Sequence, residues 1–259
     1  MELTYKDRKD LKYAKNILEN PGLAAKVMNY IGVPIAKGVE MLPKDWSVAI
    51  SMVTKQSLEK AILLSLSTLG NQTKSVPRDF FHKMMVAATG AAGGALGLPG
   101  LAIELPISTC IMLRSIGDIA RSHGEQLWTP EAQIACMVVF ALGGPSMSDD
   151  NTESAYYIIR TALAMSVAEA ATFVTEKGFV QEGLPVLLRL INQLALRFEI
   201  NVTEKLAAQA VPVIGAVGGA VINTMFIDHF QDMAHGHFII RRLERTYSPE
   251  FIRSEYDKC

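Results

Sequence analysis

Apolar residues recur along this chain at helical spacing, and the strict alternation of a half-buried strand is nearly absent. Leu58, Ala61, Ile62, Ser65 and Leu69 sit at i, i+3, i+4, i+7 and i+11, the one-faced pattern of an amphipathic helix. Helix-start chemistry agrees with that period. Thr129-Pro130-Glu131 and Ser248-Pro249-Glu250 each place a hydroxyl at the N-cap, a proline at the first helical position and an acid beside the positive helix end. Gly70, Gly178, Gly183 and the run Gly143-Gly144-Pro145 read as stops or turns. The pattern predicts helices over 3–19, 22–40, 46–69, 76–97, 102–123, 129–142, 150–177, 184–200, 203–210 and 213–246, with a short tail at 249–256. No linker or low-complexity run divides them. The expectation is an all-α fold, one compact multi-helix domain of about nine or ten helices over 1–259, with N-terminal helices in 1–45 packing onto a 46–256 core.

Composition narrows the function classes. The chain has 259 residues, 49% of them hydrophobic, which is enough for a sizeable core and too apolar for disorder. Lys and Arg number 25 against 26 Asp and Glu, so a strongly basic nucleic-acid binder is excluded; nor do the aromatics interleave with basic runs. Lys6, Asp7, Arg8, Lys9 and Asp10 follow the start with no apolar run, so no secretory leader is expected. Cys110, Cys136 and Cys259 form no CxxC pair and fit a reducing cytosol.

Charge is distributed very unevenly. The stretch between Lys83 and Arg114 holds only Glu104, and the stretches from Lys205 to Asp228 and from Glu131 to Asp149 hold no charge between those ends. Two of these segments are glycine-rich and echo each other: Ala88-Thr89-Gly90-Ala91-Ala92-Gly93-Gly94-Ala95 and Val213-Ile214-Gly215-Ala216-Val217-Gly218-Gly219-Ala220. Glycine costs about 1 kcal/mol relative to alanine inside a helix, so some contact must compensate. Close helix–helix packing in a core is one compensation. Insertion into a bilayer is a second, since 84–103 just spans roughly 30 Å of hydrocarbon, although Pro99 and Gly100 interrupt it. A peripheral membrane contact or a groove for an apolar lipid ligand is the third.

The densest polar group lies in 213–246. Thr224, Asp228, Asp232 and His235 share one side of that helix, with Ile222, Phe226, Phe230, Met233 and Ile240 opposite; His229 and His237 flank them. Two carboxylates and an imidazole at i, i+4 and i+7 suit a divalent metal or a base with its orienting partner. A solvated face, or a polar stripe hydrogen-bonding to a neighbouring helix, is the simpler explanation, because no HExxH, Cys pair or ExxH pairing sharpens the metal reading. Arg114, Asp118 and Arg121 continue the face of Ile107 and Cys110 as an ion-pair ladder. In a functional reading Arg114 is its inner, partly buried member, paired with Glu104, Asp118 or an anionic head group. Asp149, Asp150 and Glu153 read as helix-capping acids. There is no P-loop lysine, no GxSxG elbow and no HExxH.

Several strings resemble the EcsC family: Ala91-Ala92-Gly93-Gly94 leading to Leu98-Pro99-Gly100 and Glu104-Leu105-Pro106, Met112-Leu113-Arg114-Ser115-Ile116-Gly117-Asp118, Phe140-Ala141-Leu142-Gly143-Gly144, Val211 to Ala220, Asp228-His229-Phe230-Gln231, and Gly236 to Glu244. The resemblance covers roughly 50–255. It implies a bacterial, largely helical protein at or near the membrane and carries over no catalytic residues. Two functional expectations follow. The first is a non-enzymatic, membrane-associated protein contacting lipid or a membrane-protein partner such as a transporter, cytoplasmic and peripheral at the inner face of the membrane, with Glu104, Arg114, Asp118 and His229 as ligand-binding candidates. The second is a hydrolase in which Glu104, Asp228, Asp232 and His235 hold a metal or an activated water between the glycine-rich helices.

Overall fold

The computed structural model describes residues 2–19, 23, 26, 27, 29, 32, 34–43, 45–69, 78–94, 98–144, 154–177, 185–210 and 215–259, except that the side chains of 63–69, 90–94, 98, 99, 177 and 215–217 are left aside. The helices are α1 (Tyr5–Glu19), α2 (Ile35–Glu40), α3 (Trp46–Leu69), α4 (Asp79–Gly94), α5 (Leu98–Ser122), α6 (Pro130–Val138), α7 (Ala155–Lys177), α8 (Pro185–Ala210), α9 (Gly215–Thr246) and α10 (Pro249–Asp257), with a 3-10 turn at Val139–Ala141. Among the described residues there is no strand, and the helices form one compact all-α domain.

The predicted caps are in place. Thr129 and Ser248 accept from the backbone N–H of Ala132 and Phe251, satisfying donors at helix starts that have no partner within the helix. Two boundaries differ from expectation. The α5 helix starts at Leu98, one turn before the expected 102. The break expected near Asn201 does not occur, and α8 runs unbroken from 185 to 210. Asn201 and Val202 are both fully buried, so tertiary packing overrides their weak helix propensity. Of the helix expected over 22–40, the described part is mainly α2, and the acids Asp149, Asp150 and Glu153 lie outside the described residues.

The long helix α9 runs through the middle, packed by α1, α4, α5, α8 and α10. It lies antiparallel to α4: Gln231 donates to the Asp79 carbonyl (3.2 Å), and two turns back Asn223 donates to the Val86 carbonyl (3.2 Å). Both glycine-rich stretches therefore sit toward the same end of this pair. Gly218 and Gly219 are buried there; the surroundings of 90–97 and 211–217 lie outside the described residues. Helices α3, α5 and α4 lie side by side, with α8 behind α3 and α9 behind α4 and α5.

An aromatic cluster closes the centre. Phe140, Phe198, Phe226 and Phe230 pack with ring centroids 4.9–5.9 Å apart, mostly edge to face. Two close approaches fix the N-terminal helices. A Cβ at Gly236 would fall 2.6 Å from Leu18, so glycine lets α1 lie flat on α9. A Cβ at Gly38 would fall 2.0 Å from the Ala207 carbonyl oxygen, so α2 rests backbone to backbone on α8.

Candidate functional site

The charge-poor segments contain one ionic centre, and it is entirely internal. Glu104 comes from α5 and Lys205 from α8, both on core-facing positions of helices that are otherwise apolar there. Lys205 Nζ donates to Glu104 Oε2 at 2.7 Å, with side-chain exposures of 0% and 6%. Asn223 on α9 donates to the other oxygen, Oε1, at 2.8 Å. The Lys205 ammonium also lies 4.9 Å from the centre of the Phe226 ring, a cation–π contact. Burial alone pushes the Glu104 carboxyl up. The Lys205 charge and the hydrogen bonds from Lys205, Asn223 and Ser108 outweigh it and hold Glu104 below its ordinary value. Nearby on the same elements, Asn201, one turn before Lys205, is fully buried and neither amide atom has a hydrogen-bonding partner among the described residues; the same holds for Asn223 Oδ1.

A second polar network joins the start of α4 to α5 and α9. Asp118 is held by His82 at 3.1 Å and by Arg121 at 2.5 Å. Gln231 donates to Ser115 Oγ at 2.8 Å. His235 meets Asp79 at 3.2 Å on one side and His123 at 3.4 Å on the other. Burial, then the neighbouring His235 and Arg242, pushes His123 down to about 4. The Arg121–Asp118–His82 series is the orienting half of a general base. Among the described residues its working half does not appear: His82 Nε2 faces the carboxylate, and the buried Nδ1 has no hydroxyl or thiol of those residues within hydrogen-bond reach.

The structure does not gather the candidates of the hydrolase reading around one centre. Glu104 pairs with Lys205, Asp228 with Lys83 (2.5 Å), Asp232 with Lys26 (2.7 Å) and His235 with Asp79. The stripe at 228, 232 and 235 is the half-exposed edge of α9 that ties α1's neighbour and α4 to it through ion pairs. Among the described residues, no group of three or more His, Cys, Asp or Glu side chains is placed to hold a metal ion. The ladder is also inverted relative to expectation: Arg114 is exposed and Arg121 is the buried arginine. The reason is rotational. Glu104 and the core-facing residues of α5 point inward, and Arg114 lies on the outer stripe after Ile103, Ile107 and Cys110.

His229 is fully buried, against Phe230 and the backbone of Leu142 and Gly143 (φ +73°); the Leu142 backbone interacts with the ring, but neither ring nitrogen makes a hydrogen bond of ordinary geometry to the described residues. Burial, aided by the Lys26 charge, pushes its pKa down to about 4. Its ring occupies the space a Cβ at position 143 would need, at 2.3 Å, so it serves the fold.

The outer surface carries what the sequence pattern concealed. On α4, Phe80 (76% exposed), Phe81, Met84 and Met85 face out at i, i+1, i+4 and i+5. Ile103 and Ile107 also face out from α5, and Val48 and Met52 from α3. Runs such as Phe80-Phe81 and Met84-Met85 look like core at the level of sequence, and their helical spacing is the signal that makes one stripe of them. Two described helices are long and apolar enough to cross a membrane, Gly100–Ser122 within α5 and Ala155–Glu176 within α7; the first is 67% buried inside the fold.

These features define an all-helical domain with a buried ionic centre and an exposed apolar band. The EcsC protein family model matches residues 21–243, most of the chain, and the protein belongs to that family. No curated protein and no solved structure matches it.

Proposed function

We propose that this protein is a membrane-associated helical protein, cytoplasmic and peripheral at the inner face of the membrane, acting by contact with lipid or a membrane-protein partner such as a transporter. The observation that carries this reading is the stripe of Phe80, Phe81, Met84 and Met85 exposed on α4, with Ile103 and Ile107 exposed on the adjacent helix α5. Contiguous large apolar side chains at a surface are costly in water and mark lipid or protein interfaces. Arg114 follows Ile103, Ile107 and Cys110 on the same stripe, where an arginine stem lies along the acyl boundary and its guanidinium reaches phosphate. A peripheral contact fits better than a span. The α5 helix carries Glu104 and Lys205's ion pair on its inner face and is mostly covered by protein.

Liposome co-sedimentation tests it. Wild type pellets with anionic vesicles, whereas Phe80→Asp/Met84→Asp stays in the supernatant with an unchanged melting temperature. Wild type that ignores both anionic and zwitterionic vesicles overturns the lipid reading, and capture by a membrane protein through the same residues would replace it.

A further inference from the structure

Away from that stripe, α6, α7 and the polar side of α9 line a half-open cavity of about 340 Å³. Ala135 and Val138 of α6 and Leu163, Val167 and Ala168 of α7 make its apolar walls. Its polar lining is His237, Arg160, Arg241 and, at the exposed rim, Glu131. The volume is at the small end of ligand sites, which suits a compact amphiphile and excludes a two-chain lipid.

Hydrogen bonding determines what that ligand must offer. Glu244 grips Arg160 with two bonds of 2.6 and 3.0 Å, and Arg160 Nη1 also donates to the Tyr156 hydroxyl at 3.3 Å. The Tyr156 oxygen accepts from arginine, and donating its own proton to His237 Nδ1, 2.9 Å away, is the arrangement that satisfies both buried groups. A neutral imidazole that accepts at Nδ1 carries its proton on Nε2. His237 is 3% exposed, and its Nε2 has no partner among the described residues. Arg241 is held by Glu125 through Nε and Nη2 (2.8 and 3.1 Å), which leaves Nη1 outside that pair, and Arg241 is one of the residues lining the cavity. Beyond the rim carboxylate, the cavity therefore presents donors alone: an N–H of a buried histidine and two guanidinium groups. An acceptor-only, anionic head on an apolar body complements it.

We propose that this cavity binds a small monocarboxylate with an apolar body, its carboxylate accepting from His237 Nε2–H and Arg241 and its chain lying against Leu163, Val167 and Ala168.

Titration calorimetry of the full chain with octanoate and with 1-octanol is the test. Octanoate binds one per chain, and octanol, which lacks the charge, binds at least tenfold more weakly. Ala168→Phe fills the cavity from an exposed wall position without touching the polar groups, so it weakens octanoate at least tenfold at an unchanged melting temperature. Phe80→Asp/Met84→Asp, which alters only the exposed band, binds octanoate like wild type. The proposal is overturned by an absence of octanoate binding, by full affinity in Ala168→Phe, by equal affinity for octanol, or by loss of binding in Phe80→Asp/Met84→Asp.

Discussion

Lys205 donates to Glu104 across 2.7 Å inside a core where neither side chain reaches water. Removing both ions from solvent costs free energy that their mutual attraction only roughly offsets, so the pair's value lies in being complete. Lys205→Met leaves a buried carboxylate unpaired and should cost about 3–5 kcal/mol in urea unfolding. The double variant Glu104→Leu/Lys205→Met should recover most of that. A single variant as stable as wild type would show that the carboxylate finds another partner.

Gly38 faces the Ala207 carbonyl where a Cβ would sit 2.0 Å away. The obstacle is backbone, which cannot swing aside as a side chain does. Gly38→Ala should therefore detach α2 from α8, seen as faster amide exchange in Ile35–Glu40 with α9 left protected. Protection unchanged in α2 would refute this contact.

Acid should destabilise the fold before its carboxylates titrate. His229 and His123 are both held at about 4, and His237 lies well below its ordinary value, each chiefly by burial. Their folded values are depressed, so above pH 6.5 these groups contribute no pH dependence. Below it the unfolded chain takes up protons that the folded chain refuses, and stability falls as pH drops from about 6.5 toward 4. The two fully buried rings alone give a slope of up to about 2.7 kcal/mol per pH unit. Urea midpoints at pH 7 and pH 5 measure it, and His229→Phe should flatten the slope by about one proton. Equal midpoints would mean that these rings are protonated in the fold.

Thiol reactivity should separate the cysteines. Cys259 is exposed, while Cys136 is fully buried and burial pushes its thiol up, away from the reactive thiolate. A thiol reagent should label Cys259 at once and Cys136 only at the rate of unfolding. Fast labelling of Cys136 in native buffer would show that α6 opens locally.

Much of the helical layout is legible in periodicity because a helix start is local chemistry. Thr129 and Ser248 cap where hydroxyl, proline and acid fall in order. The α8 break at Asn201 is misread for the opposite reason: its propensity is local, but its burial comes from helices distant in sequence that pack on α8. Glu104 stands out as the lone charge in a long apolar stretch, whereas Lys205 and Asn223 do not. Their meeting with Glu104 spans 101 and 119 residues of chain, and no short-range pattern encodes such a distance.

By itself the sequence determined an all-helical domain, the positions of most of its helices, its membership of a family and the unevenness of its charge, because each follows from composition, spacing or local hydrogen bonding. Tertiary structure alone decided which face of each helix is inside. Phe80 and Phe230 are the same residue type on amphipathic helices, yet one is 76% exposed and the other fully buried. That choice depends on which neighbours cover a helix, so it also decided that the acids of α9 would be spent on separate ion pairs and that Glu104 would find its lysine in the core.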